Sequence, residues 1–399
     1  MATTRLHALD AIRGFALLLG LFVHGSMSFW PGLQDYGFPI SDISKSTTLG
    51  MMFFVLHMFR MAVFFLIAGF FAHLSLHRKG PADFLKDRLN RIALPMIIGW
   101  GISLVMIIPV ALWAASKLYG ADYLSALESA PQQDAPSSPL LIHFWFLYYL
   151  LWFYMLAVAL SVMLSKLDSR GRLMTMITSA VFSLCRYGVL VLITTGISAW
   201  VFYQREPWLY WAGIPTPTEA VWNEAPAFFI YGMAFSIGWF FDRERECFNI
   251  LKNHWLAYLV IAILATLISM TRLDSSNMIS TGYMTDVEKL NFAMWYSLAS
   301  WCWIFGLVGA GMKFFDQENS TRRYLSDASY WIYLAHIPIL FFLQTLFMDI
   351  PLHWTIKFPL ILLIATPVLL WTYKHWVRYS FIGNVLNGPR QRPDNLGST

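Results

Sequence analysis

The sequence predicts an all-α fold, a polytopic integral membrane bundle of about ten transmembrane helices, and three observations predict it. Of the 399 residues, 57% are hydrophobic and only 13% charged, with a mean hydropathy of +0.54. A chain of that composition cannot cover itself with a water-soluble surface, so lipid is the solvent for most of it. Stretches of about 20 apolar residues, each able to cross about 30 Å of hydrocarbon as a helix, recur along the whole length. The basic residues, finally, are divided unevenly between the two sets of loops that these stretches define.

Taken in order, the apolar stretches cover roughly 10–30, 50–77, 90–115, 140–164, 182–203, 224–241, 254–271, 289–312, 327–348 and 355–376. The first has the length of a signal-peptide core, but Asp10 and Arg13 interrupt it and no small-residue cleavage site follows Trp30, so it is expected to be retained. No loop exceeds about 25 residues, too few for a separate soluble domain. Residues 1–399 therefore read as a single membrane domain. I, L, V and F fill the spans; the outer loops at about 116–139 and 204–223 are rich in Pro, and the second carries Trp208, Tyr210, Trp211 and Trp222. Such rings can stack on sugars as a glycan platform or sit in an interfacial aromatic belt.

Lys and Arg concentrate on the side that is not translocated. Arg78, Lys79, Lys86, Arg88, Arg91, Lys166, Arg170, Arg172, Arg243, Arg245, Arg322 and Arg323 all fall on one side, whereas Lys45, Lys117, Arg205, Arg272, Lys289 and Lys357 lie opposite among acidic residues such as Asp122, Asp134, Glu206, Glu219 and Asp286. The expectation is a multi-pass protein of a bacterial inner membrane with both termini cytoplasmic. The net charge of +5 is thus a topology signal, and no basic stripe with interleaved aromatics points to nucleic acid. Cys185, Cys247 and Cys302 have neither disulfide nor metal spacing, so no metal is expected.

Ionisable groups near the centre of a membrane helix cost about 2.5–3.5 kcal/mol each on insertion scales and mark function by default. Here they are Arg13, His24, His57, Arg60 and His336, with His143 near an outer helix end. Arg13 and His24 are eleven positions apart, roughly 1100° of rotation and about 16 Å of rise, hence on one face at two depths. His24, able to take a hydroxyl proton near neutral pH, is the general-base candidate, against a histidine that only bonds a neighbouring helix. Arg13 can polarise a thioester carbonyl or pair with Asp10 three residues earlier. His57 and Arg60 share a face of the second span and are candidates for binding the acceptor or an oxyanion, or for holding helices together. Arg88 and Arg91 in "RLNRIALP" suit the phosphates of coenzyme A or serve as positive-inside anchors. His143 and Trp145 in "HFWFLYYL", and Tyr333 and His336 in "SYWIYLAHIPI", complete the substrate-binding candidates, with Pro338 expected to kink its helix.

These segments, "LDAIRGFALLLGLFVH", "HMFRMAVFFLIAGFF", "RLNRIALP", "HFWFLYYL" and "SYWIYLAHIPI" in that order, make the chain resemble the acyltransferase 3 family of membrane acyltransferases and, within it, the glucans biosynthesis protein C group. The resemblance implies a ten-helix enzyme that moves an acyl group, succinyl in that group, from cytoplasmic acyl-CoA to a hydroxyl of a periplasmic glycan. It implies functional roles for the signature residues corresponding to Arg13 and His24. Acyl-CoA would be a co-substrate, with no tightly bound cofactor; the remaining partners would be the glycan acceptor, the bilayer and the glycan synthesis machinery. A transporter exporting a glycan or small anion is the alternative, since buried Arg and His also mark ion paths.

Overall fold

The computed structural model describes residues 7–120, 141–216, 224–276, 278–279 and 284–388, and every regular element among them is helical. The helices are α1 (His7–Ser26), α2 (Thr47–Lys79), α3 (Pro81–Arg88), α4 (Leu94–Tyr119), α5 (Trp145–Leu167), α6 (Arg172–Arg186), α7 (Val189–Tyr203), α8 (Ala225–Arg243), α9 (Glu246–Met270), α10 (Asp286–Phe314), α11 (Ser320–Phe347), α12 (Trp354–Thr372) and α13 (Phe381–Asn387). Several starts follow from local chemistry. The Ser46 side chain accepts the Leu49 N–H at 3.2 Å to open α2, Thr285 and Glu288 form a capping box on α10, and Asn319 caps α11; each satisfies an N–H that the first helical turn leaves unpaired.

The polytopic bundle is as expected, but the number of spans is not about ten. Among the described residues eight helices are long and apolar enough to cross a membrane, nine if a bent pair counts as one span. That pair is α6 and α7, which meet at 99° across Gly188, held at φ 70° in the left-handed region that glycine tolerates. The straight span expected at 182–203 is thus an amphipathic helix turning into a membrane-directed one of 15 residues. The stretch expected at 224–241 is the 19-residue α8, which is outside that set of eight. Helix α11 runs on through Pro338 to Phe347.

Within hydrocarbon the hydrophobic effect does not drive helix against helix, so close packing and small residues must. Helices α2 and α8 illustrate this. A Cβ on Gly69 would run into the Phe235 carbonyl and one on Gly238 into the Leu66 carbonyl, so the two backbones touch through reciprocal glycines. Helices α9 and α10 approach similarly through Gly309, which abuts the Leu251 carbonyl. At the end opposite the chain termini, Lys357 Nζ at the start of α12 reaches the Asp42 carboxylate at 2.8 and 3.0 Å. Both side chains are fully buried, which pins the 40–46 segment between α1 and α2 to the rim of the bundle.

Candidate functional site

A cavity of about 760 Å³ lies between α1, α2, α5 and α11, with α4 and the segment before α8 closing its sides. Leu17, Gly20 and His24 line it from α1 and Met27 from the turn that follows, a stripe at steps of three, four and three that follows from helical periodicity. His57, Arg60, Met61 and Phe64 line it from α2, Trp145 and Phe146 from α5, and Tyr333, His336 and Ile337 from α11. Seven of the residues singled out from sequence, namely His24, His57, Arg60, His143, Trp145, Tyr333 and His336, therefore share one void.

Three imidazoles stand in a row. The rings of His24 and His336 are 5.1 Å apart, and those of His336 and His143 also 5.1 Å. The His336 Nδ1 lies 2.7 Å from the Tyr333 carbonyl, while the Tyr333 hydroxyl donates to the His143 carbonyl at 2.6 Å. Ile142, just before His143, has φ 51°, a conformation that a β-branched residue rarely adopts. The His24 ring makes no hydrogen bond to a described residue. Its backbone is held instead: Gln344 Nε2 donates to the carbonyls of His24 and Gly25 at 2.9 and 3.0 Å.

Arg60 is buried and has no carboxylate partner among the described residues. Its Nη1 lies against α1 at Gly20, where a Cβ would stand only 2.8 Å away. His57 is less free: its Nε2 meets the Thr216 hydroxyl at 3.3 Å and its ring lies 5.0 Å from that of Phe53. Trp145 stacks on Tyr231 at 5.5 Å.

Arg13 does not line the cavity. It continues the His24 stripe, yet the lining ends one turn earlier at Leu17. On the other three helices the innermost lining residues are Phe64, Phe146 and Tyr333, whose rings pack at 5.5 Å and 5.8 Å. These residues form a floor, so the single open corridor from Arg13 to His24 expected from their shared face is closed in this conformation. Beneath the floor Arg13 Nη2 donates to Ser326 Oγ at 3.1 Å and lies 3.7 Å from Asp10.

Arg88 and Arg91 flank one carboxylate, that of Asp87, at 3.7 and 3.1 Å. Residues Leu89–Ala93 form a π-helical turn, which holds more residues per turn than an α-helix and so sets the two side chains in different directions. Arg88 turns inward over the rings of Phe84 and Tyr154, at 4.9 and 5.2 Å, and donates to Ser75 Oγ at 3.2 Å. Arg91 stays at the surface, its Nε 3.1 Å from Asp87. Both remain on the terminus-bearing side of the floor.

The aromatic loop folds inward, and Trp208 lines the cavity. Trp208, Tyr210 and Trp211 are buried, with Trp208 stacked on Phe202 at 4.8 Å; Trp222 and most of the 116–139 loop lie outside the described residues. At the cavity mouth stands an ion pair the sequence did not single out, Arg205 with Glu224 at 2.7 Å. Burial pushes the Glu224 carboxyl up from its ordinary value, and Arg205 opposes it. Gly20, Ser326 and Gln344 were missed too. Only Gln344 carried a signal, as a lone amide in the apolar run "LFFLQTLF". The three cysteines are free and buried.

No solved structure matches the chain. Glucans biosynthesis protein C of Salmonella typhi and that of Salmonella typhimurium are each 27% identical to it over 143 residues, 36% of this chain and 35% of the relative, so the match spans about a third of the length of these curated relatives. The acyltransferase domain of the acyltransferase 3 family matches residues 6–374, which include every helix from α1 to α12 and every residue of the site; the chain belongs to the acyltransferase 3 family of membrane acyltransferases.

Proposed function

We propose that the protein is a membrane O-acyltransferase that moves an acyl group from cytoplasmic acyl-CoA to a hydroxyl of a periplasmic glycan. The observation that carries this reading is the His24 ring, free of any hydrogen bond to a described residue and lining a cavity of about 760 Å³ inside a chain of acyltransferase family. His24 takes the acceptor hydroxyl's proton as its oxygen bonds to the thioester carbonyl carbon; the C–S bond then breaks and the thiolate leaves. Direct attack is favoured because no Ser, Cys or Asp adjoins His24 in sequence as a nucleophile.

Arg13, below the floor, holds the donor near its thioester, and Arg88 and Arg91 take the coenzyme A phosphates. Because Leu17, Phe64, Phe146 and Tyr333 separate Arg13 from His24, transfer requires that floor to open for the acyl-bearing arm. His57, His143, Trp145, Tyr333 and His336 shape the acceptor side. Arg60, a buried cation lacking a carboxylate partner among the described residues, favours an acyl group that brings its own carboxylate, such as succinyl. The name of the Salmonella relatives supports a glucan acceptor, an osmoregulated periplasmic glucan being the specific form of this reading. The glycan synthesis machinery would supply the acceptor.

The test is acyl transfer by purified protein in liposomes with acyl-CoA on the side of Arg88 and a glucan opposite. Transfer should be abolished by His24→Ala with insertion unchanged. Undiminished transfer by that variant would remove the base assignment, and glucan movement without acylation would favour an exporter.

A further inference from the structure

The general base assigned to His24 lacks something that a base in an enzyme ordinarily has, a partner on its second nitrogen that fixes ring orientation and tautomer. The neighbouring imidazole supplies the missing group. The His336 Nδ1 sits 2.7 Å from the Tyr333 carbonyl, an oxygen that only accepts, so Nδ1 carries the hydrogen and the neutral ring keeps its lone pair on Nε2. That Nε2 is buried and has no partner among the described residues. A buried acceptor left bare is costly, and a native site ordinarily provides a donor for it.

The spacing fits. Two imidazoles joined by an N–H···N bond of about 2.9 Å have ring centres about 5 Å apart, and the centres of His24 and His336 are 5.1 Å apart. Rotation of the His24 ring about its own side chain would make the bond without moving either helix. The helices are moreover fixed to each other at this level, because Gln344, two turns along α11 from His336, holds the carbonyls of His24 and Gly25.

We propose that His336 is the positioning partner of His24, accepting its single N–H at Nε2 so that the other His24 nitrogen faces the cavity bare; this rests on the reading of His24 as the base. The acceptor O–H bond breaks as the new C–O bond forms, and the proton passes to the bare nitrogen. The resulting imidazolium keeps its other N–H on His336. When the C–S bond breaks, the coenzyme A thiolate takes the proton that came from the acceptor, leaving both rings neutral and the His24–His336 bond in place. The groups facing His24 and shaping its titration are His336 of α11, His143 before α5, and Arg60 and His57 of α2.

The experiment uses the full chain in proteoliposomes, with succinyl-CoA and acetyl-CoA as donors and a soluble glucose oligomer as acceptor. His336→Ala should lower kcat by about 100-fold, leave KM for the donor unchanged and shift the acidic limb of the pH profile. His336→Gln, whose amide oxygen can accept the same N–H, should recover about tenfold of the loss. Thermal unfolding in detergent verifies that both variants are folded. An undiminished kcat for His336→Ala overturns the pairing. So do Ala and Gln variants that are equally slow with an unmoved pH profile, the result that lost packing alone would give. His24→Ala, assayed in parallel, separates the two assignments: if it is active the base itself is wrong, and if it is inactive beside a fully active His336→Ala only the pairing falls.

Discussion

Gly20 of α1 and Arg60 of α2 meet where a side chain would fit only if the guanidinium moved: a Cβ on Gly20 would stand 2.8 Å from the Arg60 Nη1. The missing methyl lets the guanidinium lie one turn inward from His24 on the same wall of the cavity. Gly20→Val should push it away while leaving the apolar length of α1 intact. Displacing a positioning group by about 1 Å can cost about 100-fold in rate, so glucan acylation in membrane vesicles should fall by one to two orders of magnitude at normal protein levels. A full rate would show that Arg60 need not lie there.

Replacing Arg60 itself distinguishes the two anions it could meet. If it holds the carboxylate of the acyl group, Arg60→Gln should cost succinyl transfer about 30- to 100-fold, the worth of a hydrogen bond to a charged group of about 2–3 kcal/mol, and leave acetyl transfer within a few-fold. Equal loss with both donors would assign it to the oxyanion instead. Competition between succinyl-CoA and acetyl-CoA, read by mass spectrometry of the glycan, makes the distinction.

The Asp42–Lys357 pair should behave as buried ion pairs do. Lys357→Met strands a carboxylate that is fully buried and should destabilise the protein by about 3–5 kcal/mol, whereas Asp42→Leu with Lys357→Met should recover most of that. Burial pushes the Asp42 carboxyl up from its ordinary value, opposed by Lys357 and the Ser44 N–H. A carboxyl raised in the folded state binds its proton there sooner, so its ionisation costs stability above the folded pKa, and that cost vanishes as pH falls through it. Removing Lys357 should enlarge the cost. Melting temperatures in detergent should therefore show Lys357→Met further below the parent at pH 7 than at about pH 5; an equal gap at both would contradict this account.

The reciprocal glycines of α2 and α8 predict a purely structural defect. With carbonyls occupying the space on both sides, Gly69→Leu must separate the helices, and overpacking of this kind typically costs about 1–3 kcal/mol or more. Lower yield and a lower melting temperature are expected, together with a proportionate loss of activity. A stable, inactive Gly69→Leu protein would mean that the contact serves the site directly.

What could be read from the chain divides along a physical line. Asp10 and Arg13 at the foot of α1, the apolar lengths of α2, α4, α9 and α11, and the polar residues inside them are properties of short segments, and hydrocarbon judges each segment by its own composition. The bend at Gly188 was partly visible in "CRYGV", but whether a glycine interrupts a span or merely sits in it depends on what packs around it. The π-helical turn between Arg88 and Arg91 had no local signature. Trp208 and Trp211 read as surface aromatics because loop membership says nothing about whether the loop folds inward.

The sequence by itself determined that this chain lives in a membrane, that it belongs among the acyltransferases, and that Arg13 and His24 share one side of α1, since composition, motif and helical period are all carried within contiguous residues. Only the tertiary structure decided that His24, His143, His336 and Arg60 come from four separate elements to one void while Arg13 is left beneath an aromatic floor. Those distances depend on how whole helices pack, and packing in lipid is settled by the mutual fit of surfaces such as Gly20 against Arg60, which no single segment encodes.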